Sequence, residues 1–586
     1  MRPAPKARHL PALAILLVVS AFIGLLGLHD DRLSEDQERS ATAALKGIDQ
    51  ASDKQARDIM PSDGVFGQEG PWSRWSPAYR AIVRLLFGAI GHYDARLPFQ
   101  VMCPFVLLLY LCGMYALLFR QTRSWATSVF VAILSSTVTT TAGGAYWGVG
   151  SLASIEPAGI CIAVTPLLIL LYLQYESRRG VLLVFLLIGL LANVSAICSI
   201  NLAVLLLIVH VARGLNIRSL VTAAIAPIVV AAGAAPAIVH HFVLHPAAGD
   251  AQAVSAAAML RALRLSQLDV LYPEVLLGLL TWLPVAAVLL VAAAAVLWRV
   301  ERFQARDLEF WASFIMACLF VAFGLQAASQ ALGRHMKSLP PLGFIQASSL
   351  VMLALYVLLA QALTNMFRIL HENRSATRWG CAVFALFWML PSDNMRVLRH
   401  SCADWATGFV SEKWKPKYVQ KHHERRQERY ELREIAAWAR LQSDPAAVFL
   451  VESGEFRMLS RRAILAARED FIMYYYHAPS LLARWSELYS TQRNALTASA
   501  GGDASLQGFI NRLASGPGYE HVSEWYVLLR SQEMVPRGLE IIQSAKWGKR
   551  YQLCRILPLQ EAGADSQSQP AAESRPAKTH EGARNE

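Results

Sequence analysis

The sequence predicts a mainly α protein: a polytopic membrane helical bundle of about eleven transmembrane helices, ending in a small C-terminal extracytoplasmic α/β domain. Three observations lead there. Of the 586 residues, 54% are hydrophobic and only 17% charged, with a mean hydropathy of +0.33, whereas soluble domains carry about a quarter charged residues. Several apolar runs approach the ~20 residues that cross a bilayer core. Past residue 440 the pattern changes to short strand-like runs between charged helical stretches. The net charge of +12 does not mark a nucleic-acid binder. Much of the basic excess lies in short loops between apolar runs, where Lys and Arg set membrane orientation.

The first apolar run, 10–28, follows Arg2, Lys6 and Arg8. It is long for a signal-peptide core and no A-x-A site follows it, so it reads as a retained helix with its N-terminus in the cytoplasm. Residues 29–96 then form an outer acidic loop. Within it, Trp72, Trp75 and Tyr79 precede an apolar-basic pattern with Arg80 and Arg84 on one side, which predicts a helix lying in the membrane interface. Further spans are expected at 97–119, 125–149, 157–175, 181–200, 201–212, 220–242, 272–298, 310–332, 340–367 and 379–390, giving a bundle over 97–395.

The loop charges test this arrangement. Arg120/Arg123, Arg178/Arg179, Arg213/Arg218, Arg299/Arg302/Arg306 and Arg368/Arg374/Arg378 all fall on the N-terminal side, as the positive-inside rule requires. An odd number of spans leaves the C-terminal region outside. The run 192–201 becomes an outward turn, and its polar Asn193, Ser195, Ser199 and Asn201 must face protein or a cavity at that depth. A charged segment, 396–440, fits a juxtamembrane helix. Strands are expected at 447–453, 524–531 and 550–557 within a domain over 441–560. The tail 561–586 has the composition of a disordered segment. The eight cysteines are scattered without a CxxC and read as small buried hydrophobes, although Cys402 and Cys554 flank the outer region.

The acidic cluster Asp30, Asp31, Glu35 and Asp36 sits where the chain leaves the first helix. Its plain reading is a solvated, charged helix exit. The whole layout also resembles the GT-C class of membrane glycosyltransferases, which includes protein O-mannosyltransferases, aminoarabinose transferases and oligosaccharyltransferases. The matching positions are HDD (29–31) or SEDQ (34–37) in the first outer loop. In the outer domain they are DPAAVFLVES (444–453), EFRMLSRRAILAARED (455–470) and YVLLRS (526–531). The resemblance implies sugar transfer from a polyprenyl-phosphate-linked donor to an extracytoplasmic acceptor at a bacterial inner membrane. It also implies a first-loop acid acting as general base or metal ligand.

Elementary chemistry gives the acids the same part independently. A carboxylate within hydrogen-bond reach removes the acceptor hydroxyl's proton. Two adjacent acids hold a divalent cation instead, so the cofactor stays open. The departing lipid phosphate needs cations or fixed donors. Arg334, His335 and Lys337 form a basic group in an outer loop that should be poor in such residues. Gln346 follows nearby, but Ser348 and Ser349 stand where the resemblance places an arginine. Tyr146, Trp147 and Glu156 offer sugar-stacking faces and a carboxylate, or an interfacial belt and a helix cap. His240, His241 and His245 lie at an outer helix end without an HExxH pattern, and no metal site is assigned to them.

Two other classes remain open. A transporter or flippase of lipid-linked saccharide should show mid-membrane charges or paired broken segments; the centres of most spans lack charge. A non-enzymatic membrane scaffold predicts that changing the outer acids does little. The sugar and acceptor are not legible in the sequence.

Overall fold

The structure is a computed structural model. It describes residues 9–27, 33, 35–52, 60, 62–67, 71–74, 76–90, 95–137, 141–142, 145–146, 157–175, 177–244, 305–335, 343–369, 407, 410, 415, 417–478, 481–498, 504–514, 519, 521–530, 539–542 and 547–557. The expected spans 272–298 and 379–390, and the tail 561–586, lie outside these residues.

The chain is mainly helical and is a membrane protein by its apolar helices. Among the described residues four helices are long and apolar enough to cross a bilayer: Leu97–Thr122, Pro157–Gln174, Glu309–Leu332 and Phe344–Thr364. A bent pair, Ile217–Gly233 with Ala235–Val243, angled at 63°, supplies a fifth if it is one span.

Helix α1 (His9–Gly27) is apolar along its length. It packs on α4 (Leu97–Thr122) and α5 (Trp125–Thr137). Between α1 and α4 lie α2 (Glu35–Ser52) and α3 (Pro77–Ile90). The bundle continues through α6 (Pro157–Gln174), α7 (Arg178–Leu191), α8 (Ala196–Ala212), α9 (Ile217–Gly233) and α10 (Ala235–Val239), which runs into a π-helical turn at His240–Leu244. Then come α11 (Ala305–Leu319), a π segment Phe320–Leu325, α12 (Gln326–His335), a 3-10 turn Phe344–Leu350 and α13 (Val351–Ile369).

Several expected spans differ in their bounds: 181–200 and 201–212 are α7 (Arg178–Leu191) and α8 (Ala196–Ala212), and 220–242 is broken at Ala234. The one at 125–149 ends as a helix at Thr137, where the Thr-rich run and the following Gly143–Gly144 disfavour continuation. A short antiparallel pair follows, β1 (Thr141–Ala142) with β2 (Ala145–Tyr146). The outward turn after α7 is tighter than 192–201: it occupies Ala192–Ser195.

The predicted cytoplasmic end is held together by polar contacts. His9 Nδ1 meets Tyr115 Oη at 2.8 Å. Arg120 donates to the carbonyls of Leu170 and Leu173, Tyr172 Oη meets His210 Nδ1 at 3.1 Å, and Gln361 donates to Gln121. The orientation-setting arginines Arg120 and Arg213 thus belong to one end, and Arg213 lies over the Phe310 ring. Tight packing inside the bundle depends on glycine: a Cβ at Gly189 or Gly233 would collide with the Val230 or Leu186 carbonyl, so α7 and α9 approach backbone to backbone.

At the other end Asn193, Ser195, Ser199 and Asn201 are all buried against protein, as polar residues at that depth require. Asn193 is the junction. Its amide donates to Leu190 O and Gly233 O, and its carbonyl accepts from Ala237 N. Its backbone oxygen takes the Ala78 N–H. One side chain therefore caps the break between α9 and α10, and its backbone seats the start of α3.

The C-terminal region begins with α14 (Lys417–Gln442). Its Leu432, Ile435, Ala436 and Ala439 are buried against a five-stranded mixed sheet. The sheet has strand order β4-β3-β5-β7-β6, with β3 (Val448–Leu450) parallel to β4 (Ala463–Ile464) and β5 (Trp525–Arg530). Strand β7 (Tyr551–Ile556) is antiparallel to β5 and β6 (Leu539–Ile542). The three strands expected from apolar runs are present, and β3 is buried on both faces. Cys554 lies buried in β7 with a free thiol; Cys402 lies outside the described residues. Helices α15 (Gly454–Ser460) and α16 (Phe471–His477) complete the side that meets the first outer loop.

Candidate functional site

The segment after α1 folds into helix α2, which has two working faces. On α2, Ser40, Ala43, Ala44 and Gly47 recur at helical spacing and line a cavity of about 440 Å³. The opposite face turns to the C-terminal domain. There Arg39 donates to Glu469 O, while the buried Lys46 ammonium, on the flank of the helix, reaches Phe66 O and lies 5.4 Å over the Trp72 ring. Helix α2 is thus sandwiched between α3 and α15.

The far wall of the cavity is α3, which is amphipathic in the expected way. Tyr79, Val83 and Phe87 are buried, while Ile82 and Leu85 are exposed. Arg80 and Arg84, one turn apart, stand on the cavity, and Trp72 and His240 complete its lining. The Arg80 guanidinium lies 5.0 Å over the Trp72 ring and donates to Trp72 O at 3.4 Å. Arg84 donates to Gly47 O at 3.3 Å. Ser40 Oγ donates to Tyr79 Oη at 3.2 Å. Burial, with the charge of Arg84 added, pulls the Arg80 guanidinium below its ordinary range. Two crowded cations, a histidine and an aromatic face make a receptor for an anion. Among the described residues no carboxylate lines the cavity. His240 belongs to the π-helical turn that follows the break at Gly233, and such turns are common at functional sites. The next residue, His241, faces His477 of α16 with ring centroids 6.4 Å apart.

A second polar set lies below α2 and is closed. Arg457 of α15, 2% exposed, donates through Nε to Asp63 Oδ2 and through both Nη atoms to Asp470, each at 2.7 Å. Asp63 also accepts from the N–H groups of Val65, Phe66 and Ile464, and Asp470 from Ala467 N. Every charge here is answered. This cluster joins the first loop to the C-terminal domain.

Asp30, Asp31, Trp147, Glu156 and Lys337 lie outside the described residues. Glu35 and Asp36 open α2, with Asp36 one turn before Ser40. Arg334 and His335 end α12. Tyr146 lies in β2, which packs with β1 against the 3-10 turn that carries the half-buried Gln346. The hairpin residue and Gln346 are therefore neighbours by fold, apart from the α2–α3 cavity. Among the described residues no three His, Cys, Asp or Glu side chains converge as metal ligands.

Arg80, Arg84 and His240 were visible in the sequence as an interfacial helix face and an outer helix end, but only the fold brings them together. Asp63 gave no signal beyond the turn-forming Ser-Asp-Gly at 62–64. Arg457 and Asp470 fall inside the EFRMLSRRAILAARED segment. No protein-family model and no curated protein matches the chain.

Proposed function

We propose that the protein is a membrane glycosyltransferase. It moves a sugar from a polyprenyl-phosphate-linked donor to an extracytoplasmic acceptor, with the donor phosphate seated in the α2–α3 cavity. The observation that carries this reading is the cavity itself: Arg80, Arg84 and His240 around about 440 Å³, on a helix whose other face exposes Ile82 and Leu85. A phosphate neutralises the paired guanidiniums, and the apolar face suits a lipid chain. As the glycosidic bond forms at the anomeric carbon, the acceptor hydroxyl gives its proton to a carboxylate and the lipid phosphate leaves between the cations. The base is one of Asp30, Asp31, Glu35 and Asp36. Asp36 is the favoured position because it precedes Ser40 by one turn. A divalent cation on those acids is the alternative means of neutralising the phosphate.

The test is transfer from extracted lipid-linked donors. R80Q and R84Q each raise the donor KM roughly tenfold or more. One of D30N, D31N, E35Q and D36N lowers kcat by about a hundredfold or more. Undiminished transfer in all four acid variants, with protein present in the membrane, sinks the proposal.

A second reading, translocation of a lipid-linked saccharide, draws on the break of 63° between α9 and α10, since broken helices serve transporters. It predicts lipid-linked saccharide crossing the bilayer in vesicles without any transfer product.

A further inference from the structure

Among the described residues the C-terminal domain touches the cavity's supports rather than the cavity. Arg457 grips Asp63, and Asp63 holds the turn 63–67 by accepting from Val65 N and Phe66 N, while its own carbonyl takes Gly67 N. That turn carries Trp72: Trp72 Nε1 donates to Gly67 O at 3.2 Å, and Trp72 N to Val65 O at 3.4 Å. Trp72 in turn forms the cavity wall and stacks under Arg80. From the same side, Arg457 lies 5.3 Å over the Phe66 ring, and the Tyr474 hydroxyl fills the space where Gly64 has no side chain.

We infer that Arg457 is a positioning residue for the cavity: through Asp63 and the turn 63–67, the C-terminal domain sets where Trp72 and Arg80 stand. The inference rests on the reading of the cavity as an anion site. It gives the outer domain a role in donor binding without contact to the donor. Bidentate and side-on pairing fixes the guanidinium in orientation as well as place, so a lysine keeps the charge and loses the geometry. A displacement of even about 1 Å at a recognition site has large effects on function.

The experiment titrates the full-length protein in detergent with dioctanoyl phosphatidic acid, a lipid phosphate monoester. Arg457→Lys weakens binding roughly tenfold, and the loss vanishes in a Trp72→Leu background, because contacting residues couple non-additively. Gly64→Ala, which pushes the same turn against Tyr474 while leaving every charge in place, weakens binding in the same direction and serves if Arg457→Lys fails to fold. If both variants bind within about twofold of the wild type while Arg80→Gln binds weakly, the positioning role is overturned and the cavity reading stands. If the Arg457→Lys loss is unchanged in the Trp72→Leu background, the positioning role is likewise overturned. If Arg80→Gln binds like the wild type, the cavity reading falls and the positioning role falls with it.

Discussion

Arg457 and Arg80 lie on opposite sides of α2 in opposite circumstances. Arg457 is buried, bracketed by two carboxylates and backed by an aromatic ring. Arg80 shares a cavity with Arg84, and among the described residues no carboxylate lines that cavity. The same residue type therefore does two jobs a few turns apart. A guanidinium whose donors meet carboxylates of the same fold is part of the architecture. Two like charges one turn apart on a cavity wall instead repel one another. The largest effect should come from breaking the closed cluster. Arg457→Met leaves Asp63 and Asp470 buried without their counter-charge, a change that costs about 3–5 kcal/mol. Thermal unfolding in detergent measures it, and wild-type stability in this variant would erase the distinction.

Asn193 offers a smaller break on the cavity side. Its side chain makes three hydrogen bonds across the α7–α8 turn and the α9–α10 break. Asn193→Ala strands buried backbone groups at about 1–3 kcal/mol each. Because Ala78 N donates to Asn193 O, the change should also loosen α3 and weaken anion binding. Loss of stability with anion binding untouched would separate the two ends of that connection.

Much of this was legible in the sequence. The apolar runs, the polar residues 193–201 and the strand at 447–453 follow from local pattern, since burial of a helix or strand is written in its own periodicity. The amphipathic α3 was equally plain, with Arg80 and Arg84 set apart from Tyr79, Val83 and Phe87. What did not show was partnership across the chain. Asp63 and Arg457 are separated by 394 positions, and nothing local to either one marks the other. For the same reason the acids of the first loop drew the eye as a free cluster. The fold instead turns the rest of that helix into a core element, with Gln37, Arg39, Thr42 and Lys46 all buried. Residue type and spacing reveal a helix face, whereas what covers that face depends on topology.

The closed side also has a pH signature. Burial holds the Tyr474 phenol well above its ordinary value, with the charges of Asp470 and Asp63 adding to the shift. Burial likewise pushes Tyr519 and Tyr551 up to about 12. In the unfolded chain these phenols ionise near pH 10. The folded state keeps them neutral beyond that, so their contribution to stability is complete below pH 10 and is lost as the pH rises from about 10 to 12. The C-terminal domain should therefore lose thermal stability over that interval, and Tyr474→Phe should reduce the loss. An equal loss in that variant would place the titrating groups elsewhere.

The smallest change in stability belongs to the open side. Arg84 is exposed on α3 and donates to Gly47 O at 3.3 Å, so Arg84→Gln should shift folding by no more than about 0.5 kcal/mol. Removing one of two neighbouring like charges also relieves repulsion on Arg80, which offsets part of the lost hydrogen bond. The same substitution should abolish most of the stabilisation that dioctanoyl phosphatidic acid confers on the wild type, because a ligand raises stability only through its affinity for the folded state. A near-zero effect without ligand, together with a large effect with it, is the pattern that distinguishes a binding cation from an architectural one. If Arg84→Gln instead destabilises the ligand-free protein as strongly as Arg457→Met does, the two sides of α2 are alike and the cavity is simply an imperfectly filled part of the core.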